Sequence, residues 1–454
     1  MSTNTKATDN LSLSLDQRPL VHSSNLVETD LWLRRGVWLY FILLIMEGAL
    51  RKWFLPGLAT PLLIVRDPIA LWLVLSVWQR GQLPLTAYVA GCVGIGVVGI
   101  FTAVFLGHGS IPVALFGARI LLIHFPLMFV IGRIFTQADV IKLGRVTLMI
   151  AIPMAILTAM QFYSPQSAWV NRGLGGSEEG AGFSGAMGYF RPPGTFSFTN
   201  GLSLFFSFVA PFVFYFWIRS EKISKFILIG GTLALLASIP LSISRSLLFS
   251  VLVTMLFTVI GVAFKPKFLG RIIVACIGLI IALAALSQTS FFQTAFEAFT
   301  SRFETANSVE GGVEGVLVDR YLGGLIGQIT GNADIPLFGY GIGMGTNVGS
   351  MLLAGKVKYL IAEGEWGRLI GELGLLMGMG MILLRLGFCA KVTWAAYTKL
   401  RSGDLLPWVL LSFGLLVIPQ SQWAQPTALG FSTLIGGLII ASMRGTECSG
   451  DNEV

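Results

Sequence analysis

The chain has 454 residues, 54% of them hydrophobic and only 12% charged, with a mean hydropathy of +0.77. Soluble domains carry roughly 25% charged residues, so an ordinary soluble protein is excluded and an integral membrane protein is expected. The net charge of +8 is what basic cytoplasmic loops produce, and no nucleic-acid partner is inferred from it.

Residues 1–35 are polar and lack the apolar core and small-residue cleavage site of a signal peptide, which predicts a disordered cytoplasmic tail. Apolar runs able to cross a hydrocarbon core of roughly 30 Å follow at 36–50, 61–78, 84–106, 111–135, 141–162, 200–218, 223–241, 242–264 and 270–287, then at 366–390, 405–418 and 427–443. The expected fold class is all-α: a polytopic membrane protein of about twelve transmembrane helices. Helices one to nine occupy 36–287, with an external loop at 163–199; a large external loop at 288–365 separates the ninth helix from the tenth. Helices ten to twelve occupy 366–443, and a cytoplasmic tail follows at 444–454.

With the N-terminus inside, 18 of the 31 basic residues fall in segments assigned to the cytoplasm, which supports this orientation with both termini inside. The basic residues left outside are mostly arginine. Its planar fork binds phosphate or carboxylate through paired hydrogen bonds, so an anionic ligand handled on the outer face is expected.

Charges within apolar runs mark paired or functional positions. Glu47 and Arg51 stand at i, i+4, Arg66 and Asp67 are adjacent, and Arg119 and His124 share the fourth run. Structural pairing is expected for most of them, with Arg119 a candidate for substrate binding. Arg191 opens RPPGTFSFTNG, where Pro192, Pro193 and Gly194 fix a rigid entry to the sixth helix. Arg191 and Arg245, the latter in LSISRSLLF, are each either an arginine reaching to the interface or a phosphate clamp.

In the large loop, Val313, Val316, Leu317, Tyr321, Leu325 and Ile329 recur at helical spacing, which predicts an amphipathic surface helix carrying Arg320. Gly339, Gly341, Gly343 and Gly345 alternate without the GxGxxG spacing of a dinucleotide site. They read either as a flexible turn or as a close approach to a ligand, with Gly341 and Gly343 offering N–H groups to an anion. Glu363, Glu365, Arg368 and Glu372 crowd the start of the tenth helix. Arg368 and Glu372 are spaced to pair, Arg368 is also a candidate substrate contact, and Glu363 or Glu365 is a candidate general base. The four cysteines and three histidines form no disulfide framework or metal spacing, so no metal and no cofactor are expected.

The order of RPPGTFSFTNG, the SRS at Ser244 to Ser246, Arg320 before PLFGYGIG, and the ELG at Glu372 to Gly374 resembles the O-antigen ligase and Wzy-type polymerase superfamily of bacterial membrane glycosyltransferases. EGALRKW and RDP resemble a sub-branch of it. The resemblance implies an inner-membrane enzyme that transfers a polyprenyl-diphosphate-linked glycan, on the outer leaflet, to a glycan or lipid acceptor without a metal. It also implies that Arg245 and Arg320 bind the diphosphate. The lipid bilayer and polysaccharide export machinery are the further partners expected. Ligases of the family carry a histidine nine residues before the ELG glutamate; here Glu363 stands there, with Glu365 close by. A polymerase or ligase for a surface polysaccharide is therefore expected, rather than a lipid A core ligase. A transporter or flippase of lipid-linked sugars and a structural subunit are the alternatives, and a transporter would place its binding charges near the midplane.

Overall fold

The computed structural model describes residues 21–264, 270, 278, 284, 287–310, 335–356 and 360–444. The expected ninth helix at 270–287 lies almost entirely outside these residues, and the expected amphipathic helix with Arg320 lies wholly outside them. The described chain forms α1 (Val21–Ala49), α2 (Asp67–Gln79), α3 (Ala87–Phe105), α4 (Ile111–Arg119), α5 (Phe125–Ile134), α6 (Gln137–Tyr163), α7 (Thr199–Ile218), α8 (Lys225–Leu241) and α9 (Arg245–Ala263). There follow α10 (Ser290–Glu310), α11 (Asn347–Ala354), α12 (Glu365–Ser402), α13 (Leu406–Val417) and α14 (Pro426–Met443). One antiparallel hairpin, β1 (Phe183–Ala186) with β2 (Tyr189–Arg191), is set in the loop after α6.

Among the described residues, 8 helical stretches are long and apolar enough to cross a membrane: Pro61–Gln79, Ala87–Phe105, Ile111–Ile134, Gln137–Tyr163, Thr199–Ile218, Arg245–Ala263, Glu365–Ser402 and Pro426–Met443. The helices α8 and α13 are apolar but shorter. This is the architecture of an all-α polytopic membrane protein.

Local chemistry explains where the elements begin. Thr136 accepts from the Asp139 amide while the Asp139 carboxylate accepts from the Thr136 amide, a reciprocal cap that starts α6. Thr86 and Ser244 cap α3 and α9 in the same sense. At the centre stands α7, with 89% of its apolar window buried against 28% for Pro61–Gln79 and 33% for α9. Its Phe205 packs against Phe196 and its Phe208 against Phe413 and Phe431, while Phe212 meets Phe208 edge-on. Glycine lets neighbours come close: a Cβ at Gly132 would lie 2.5 Å from Ile440, and one at Gly144 would lie 2.3 Å from Phe212.

The bundle has two chemically distinct ends. At one, Arg80 pairs with Asp30, Arg34 pairs with Asp139, and Gln137 donates to Asp404. At the other lie the turns 50–66, 164–198 and 242–244, the described residues of 335–356 and 360–364, and the turn 418–425.

Several elements differ from expectation. The first helix begins at Val21 rather than after residue 35, because Val21 to Arg35 contains no glycine or proline to stop it. The second run, expected from residue 61, opens as a 3-10 turn at Pro61–Ile64 before α2, and a further 3-10 turn, Pro56–Leu58, precedes it. The fourth is interrupted by a π-helical turn, Ile120–His124, just before Pro126, whose missing N–H the wider turn accommodates. The tenth is folded back on itself. Gly374 has φ 77 and ψ 172, and Arg385 Nη1 lies 2.8 Å from Glu365 Oε1. In a continuous helix, 20 residues would separate them by about 30 Å. The half-helix 365–373 thus packs along 375–402, with Gly378 against Leu369 and Ile370.

Candidate functional site

Three arginines converge at the end of the bundle opposite the Arg80–Asp30 and Arg34–Asp139 pairs. Arg191 ends β2, whose hairpin turns at Met187 and Gly188, both with positive φ as a two-residue turn requires. The Pro192–Pro193–Gly194 turn then leads away and is held firmly: Gly194 donates to Gln161 Oε1 at 2.8 Å and accepts from Lys52 Nζ at 2.7 Å. Arg245 is the first residue of α9 and follows Ile243, which has φ 46. A β-branched residue is strained there, and the strain sits in the turn that aims Arg245. Arg302 extends the face of α10 that packs Ala295 and Ala298 against Phe162, Leu241 and Ile243. Burial first, then the Arg302 and Arg245 charges, pull the Arg191 guanidinium down to about 10. Its Nε is buried without a hydrogen-bond partner.

Beside this cluster runs an apolar groove of about 700 Å³ between α6 and α8. Ile152, Ile156, Ala159 and Leu233 line it, and Phe291 and Phe292 of α10 close one end. Phe292 and Leu241 border both the groove and the packing that holds Arg302, and Phe162 stacks on Tyr189, two residues before Arg191.

The segment carrying Arg191 is fastened to the end of α1. Arg51 donates to Ser197 at 2.9 Å, Thr195 donates to Ile45 at 2.6 Å, and a Cβ at Gly48 would lie 2.3 Å from the Ser197 amide. EGALRKW and RPPGTFSFTNG are therefore two halves of one joint.

Glu363 stands at the same end as Arg245. The antiparallel helices α9 and α13 meet at Gly261 with Leu405, at Phe257 with Trp408, and at Thr254 with Ser412, 3.0 Å apart. Continued outward, this ladder brings Arg245 level with the turn 418–425, where Gln422 donates to the Glu363 carbonyl at 2.5 Å. The Glu363 side chain is exposed.

Glu365 has a different setting. Its side chain is 0% exposed, and its oxygens accept from Arg368 at 2.7 and 2.9 Å, from Arg385 at 2.8 Å and from the Trp423 amide at 3.1 Å. Arg385 lies over the Trp423 ring at 3.9 Å. Arg368 spans Glu365 and Glu372, the latter at 2.5 Å, and is buried within this network rather than turned toward the three arginines. Of Gly341 and Gly343, expected to offer N–H groups to an anion, Gly341 gives its N–H to the Glu372 carbonyl at 3.0 Å, and Gly345 donates to the Glu372 carboxylate at 2.8 Å. Gly341 and Gly343 both have positive φ, and a Cβ at Gly343 would lie 2.1 Å from the Val113 carbonyl oxygen. The run caps the end of the half-helix.

Arg119 also has another set of partners. Its Nη1 bonds both Asp67 oxygens, at 2.9 and 2.8 Å, and Asp67 meets His124 at 3.0 Å, which meets Tyr40 at 3.2 Å. Arg66 joins Glu47 to the Pro426 carbonyl, so these charges lace α1, α2 and the α4–α5 region to the start of α14. Sequence reasoning did not single out Arg302, although Ala295, Ala298 and Arg302 follow helical spacing within SFFQTAFEAFTSRF. Nothing local marked Arg385 as the partner of Glu365.

Fold and site together define a polytopic α-helical membrane protein with an arginine cluster at one end of the bundle, beside an apolar groove. No family model, curated protein or solved structure matches the chain.

Proposed function

We propose that the protein is a glycosyltransferase of the bacterial cytoplasmic membrane, spanning it about twelve times with both termini inside. On the outer face it takes a glycan linked to polyprenyl diphosphate and transfers it to a hydroxyl of a glycan or lipid acceptor, building or attaching a surface polysaccharide beside export machinery. The observation that carries this reading is the apolar groove bordered by the packing that positions Arg191, Arg245 and Arg302. Such a ligand has a matching shape, a long hydrocarbon ending in concentrated negative charge.

In the proposed reaction the acceptor oxygen attacks the anomeric carbon opposite the diphosphate and inverts it. The bond from that carbon to the diphosphate oxygen breaks, and the electron pair leaves on the diphosphate, where the guanidinium groups stabilise the growing charge. Arg320 is proposed to join them, from the family resemblance. The acceptor proton passes to a carboxylate. Glu363 suits this step better than Glu365, whose oxygens are engaged by two arginines and an amide.

Arg191→Ala, Arg245→Ala and Glu363→Gln should each cut polymer at least about a hundredfold at unchanged protein level, with lipid-linked glycan accumulating on the outer leaflet. Full polymer from Arg191→Ala and Arg245→Ala would remove the reading. A flippase is the second reading, favoured by the fold-back of α12 and the short α13, since broken helices are characteristic of transporters. Glycan trapped on the inner leaflet of a deletion strain would favour it.

A further inference from the structure

The N-termini of α7 and α9 meet beside Arg245, and hydroxyls line their junction. Ser203 donates to Ser244 at 2.9 Å, and Ser244 shares a hydrogen bond with Ser246 at 2.9 Å. Ser246 is exposed, so this chain of hydroxyls runs from the interior to the surface on either side of Arg245 in sequence. Thr199 lies one turn outward from Ser203 on the same face of α7. It is only 2% exposed, yet its Oγ1 has no hydrogen-bond partner. A buried hydroxyl left unbonded is destabilising. Each helix also ends here with N–H groups that have no partner within the helix and with the positive end of its dipole.

A hydroxyl ladder that simply joins two helices in a membrane accounts for Ser203 with Ser244. It does not account for Thr199 or for the surface position of Ser246. Hydroxyls can rotate to donate to an anion's oxygen. We propose that Thr199, Ser203, Ser244 and Ser246 seat one phosphate of a diphosphate ligand beside the arginines, so that the site selects a diphosphate over a monophosphate. The proposal rests on the reading of the arginine cluster as an anion site.

The full chain in lipid nanodiscs, titrated with farnesyl diphosphate and farnesyl monophosphate as probes, tests it. Wild type should bind the diphosphate about tenfold or more tightly than the monophosphate. Thr199→Val keeps the side-chain shape, removes an unbonded hydroxyl and should not lower the melting temperature; Ser246→Ala alters an exposed side chain. Each should weaken diphosphate binding about three- to tenfold and leave monophosphate binding unchanged. Equal weakening of both probes, an unchanged preference in both variants, or no preference in wild type would overturn the proposal. Arg191→Ala and Arg245→Ala should weaken both probes. If they do not, the anion-site reading itself fails; if they do while both hydroxyl variants keep the preference, only the hydroxyl seat fails.

Discussion

Lys52 is 1% exposed, donates to the Gly194 carbonyl and lies 4.5 Å from the Trp53 ring centre. Burial pulls its pKa from 10.5 to about 7. Below pH 7 the folded and unfolded chains both carry its proton, and the cost of burying the charge is fully felt. Above it, up to about pH 10, the folded chain sheds a proton that the unfolded chain retains, so Lys52 makes stability rise with pH. Wild-type stability in detergent should therefore gain on that of Lys52→Met by on the order of 2 kcal/mol between pH 7 and 9. A difference that stays constant across that range would show that the buried amine does not titrate there. Arg191 and Arg245 stand out because Pro-Pro-Gly and Ser-Arg-Ser flank them. Glu363 and Glu365, two positions apart, look equivalent until Arg385 closes on one of them.

At the scale of the element, the fold-back at Gly374 organises the region. It lets the half-helix 365–373 lie beside 375–402, while the Tyr340 and Gly341 amides cap the carbonyls of Gly371 and Glu372. Only glycine suits the position: φ is 77, and a Cβ would lie 2.0 Å from the Leu337 carbonyl oxygen. Gly374→Ala should therefore lower the yield of folded protein and its melting temperature. Arg385→Met should cost about 3–5 kcal/mol by leaving Glu365 buried with one cationic partner fewer. Wild-type melting of both variants would mean that the hairpin does not depend on this geometry. The apolar pattern announces a membrane helix over this region but not the reversal, because both arms are equally apolar and a lone glycine also occurs within straight helices.

For the molecule as a whole, the ion pairs Arg80–Asp30 and Arg34–Asp139 mark one end, and the arginine cluster marks the other. With the basic end in the cytoplasm, Glu178→Cys in the loop after α6 should react with a membrane-impermeant thiol reagent in intact cells. Glu221→Cys, between α7 and α8, should react only after permeabilisation. Both substitutions belong in a Cys276→Ser, Cys448→Ser background, since the other two cysteines, Cys92 and Cys389, are buried. The reverse pattern would turn the arginine cluster to the cytoplasm and end the case for chemistry on the outer face.

Membrane residence and helical class are legible from composition and spacing, because transfer of a segment into lipid depends mainly on that segment's own side chains. The site depends on distant residues. Arg191, Arg245 and Arg302 are brought together by a hairpin, a strained turn and the packing of α10, and the groove beside them lies between α6 and α8. Glu365 is taken out of solvent by Arg385, 20 residues further along the chain. Tertiary structure decides these matters because they rest on which side chains meet, and hydropathy constrains which segments enter the membrane far more tightly than which partners they find there.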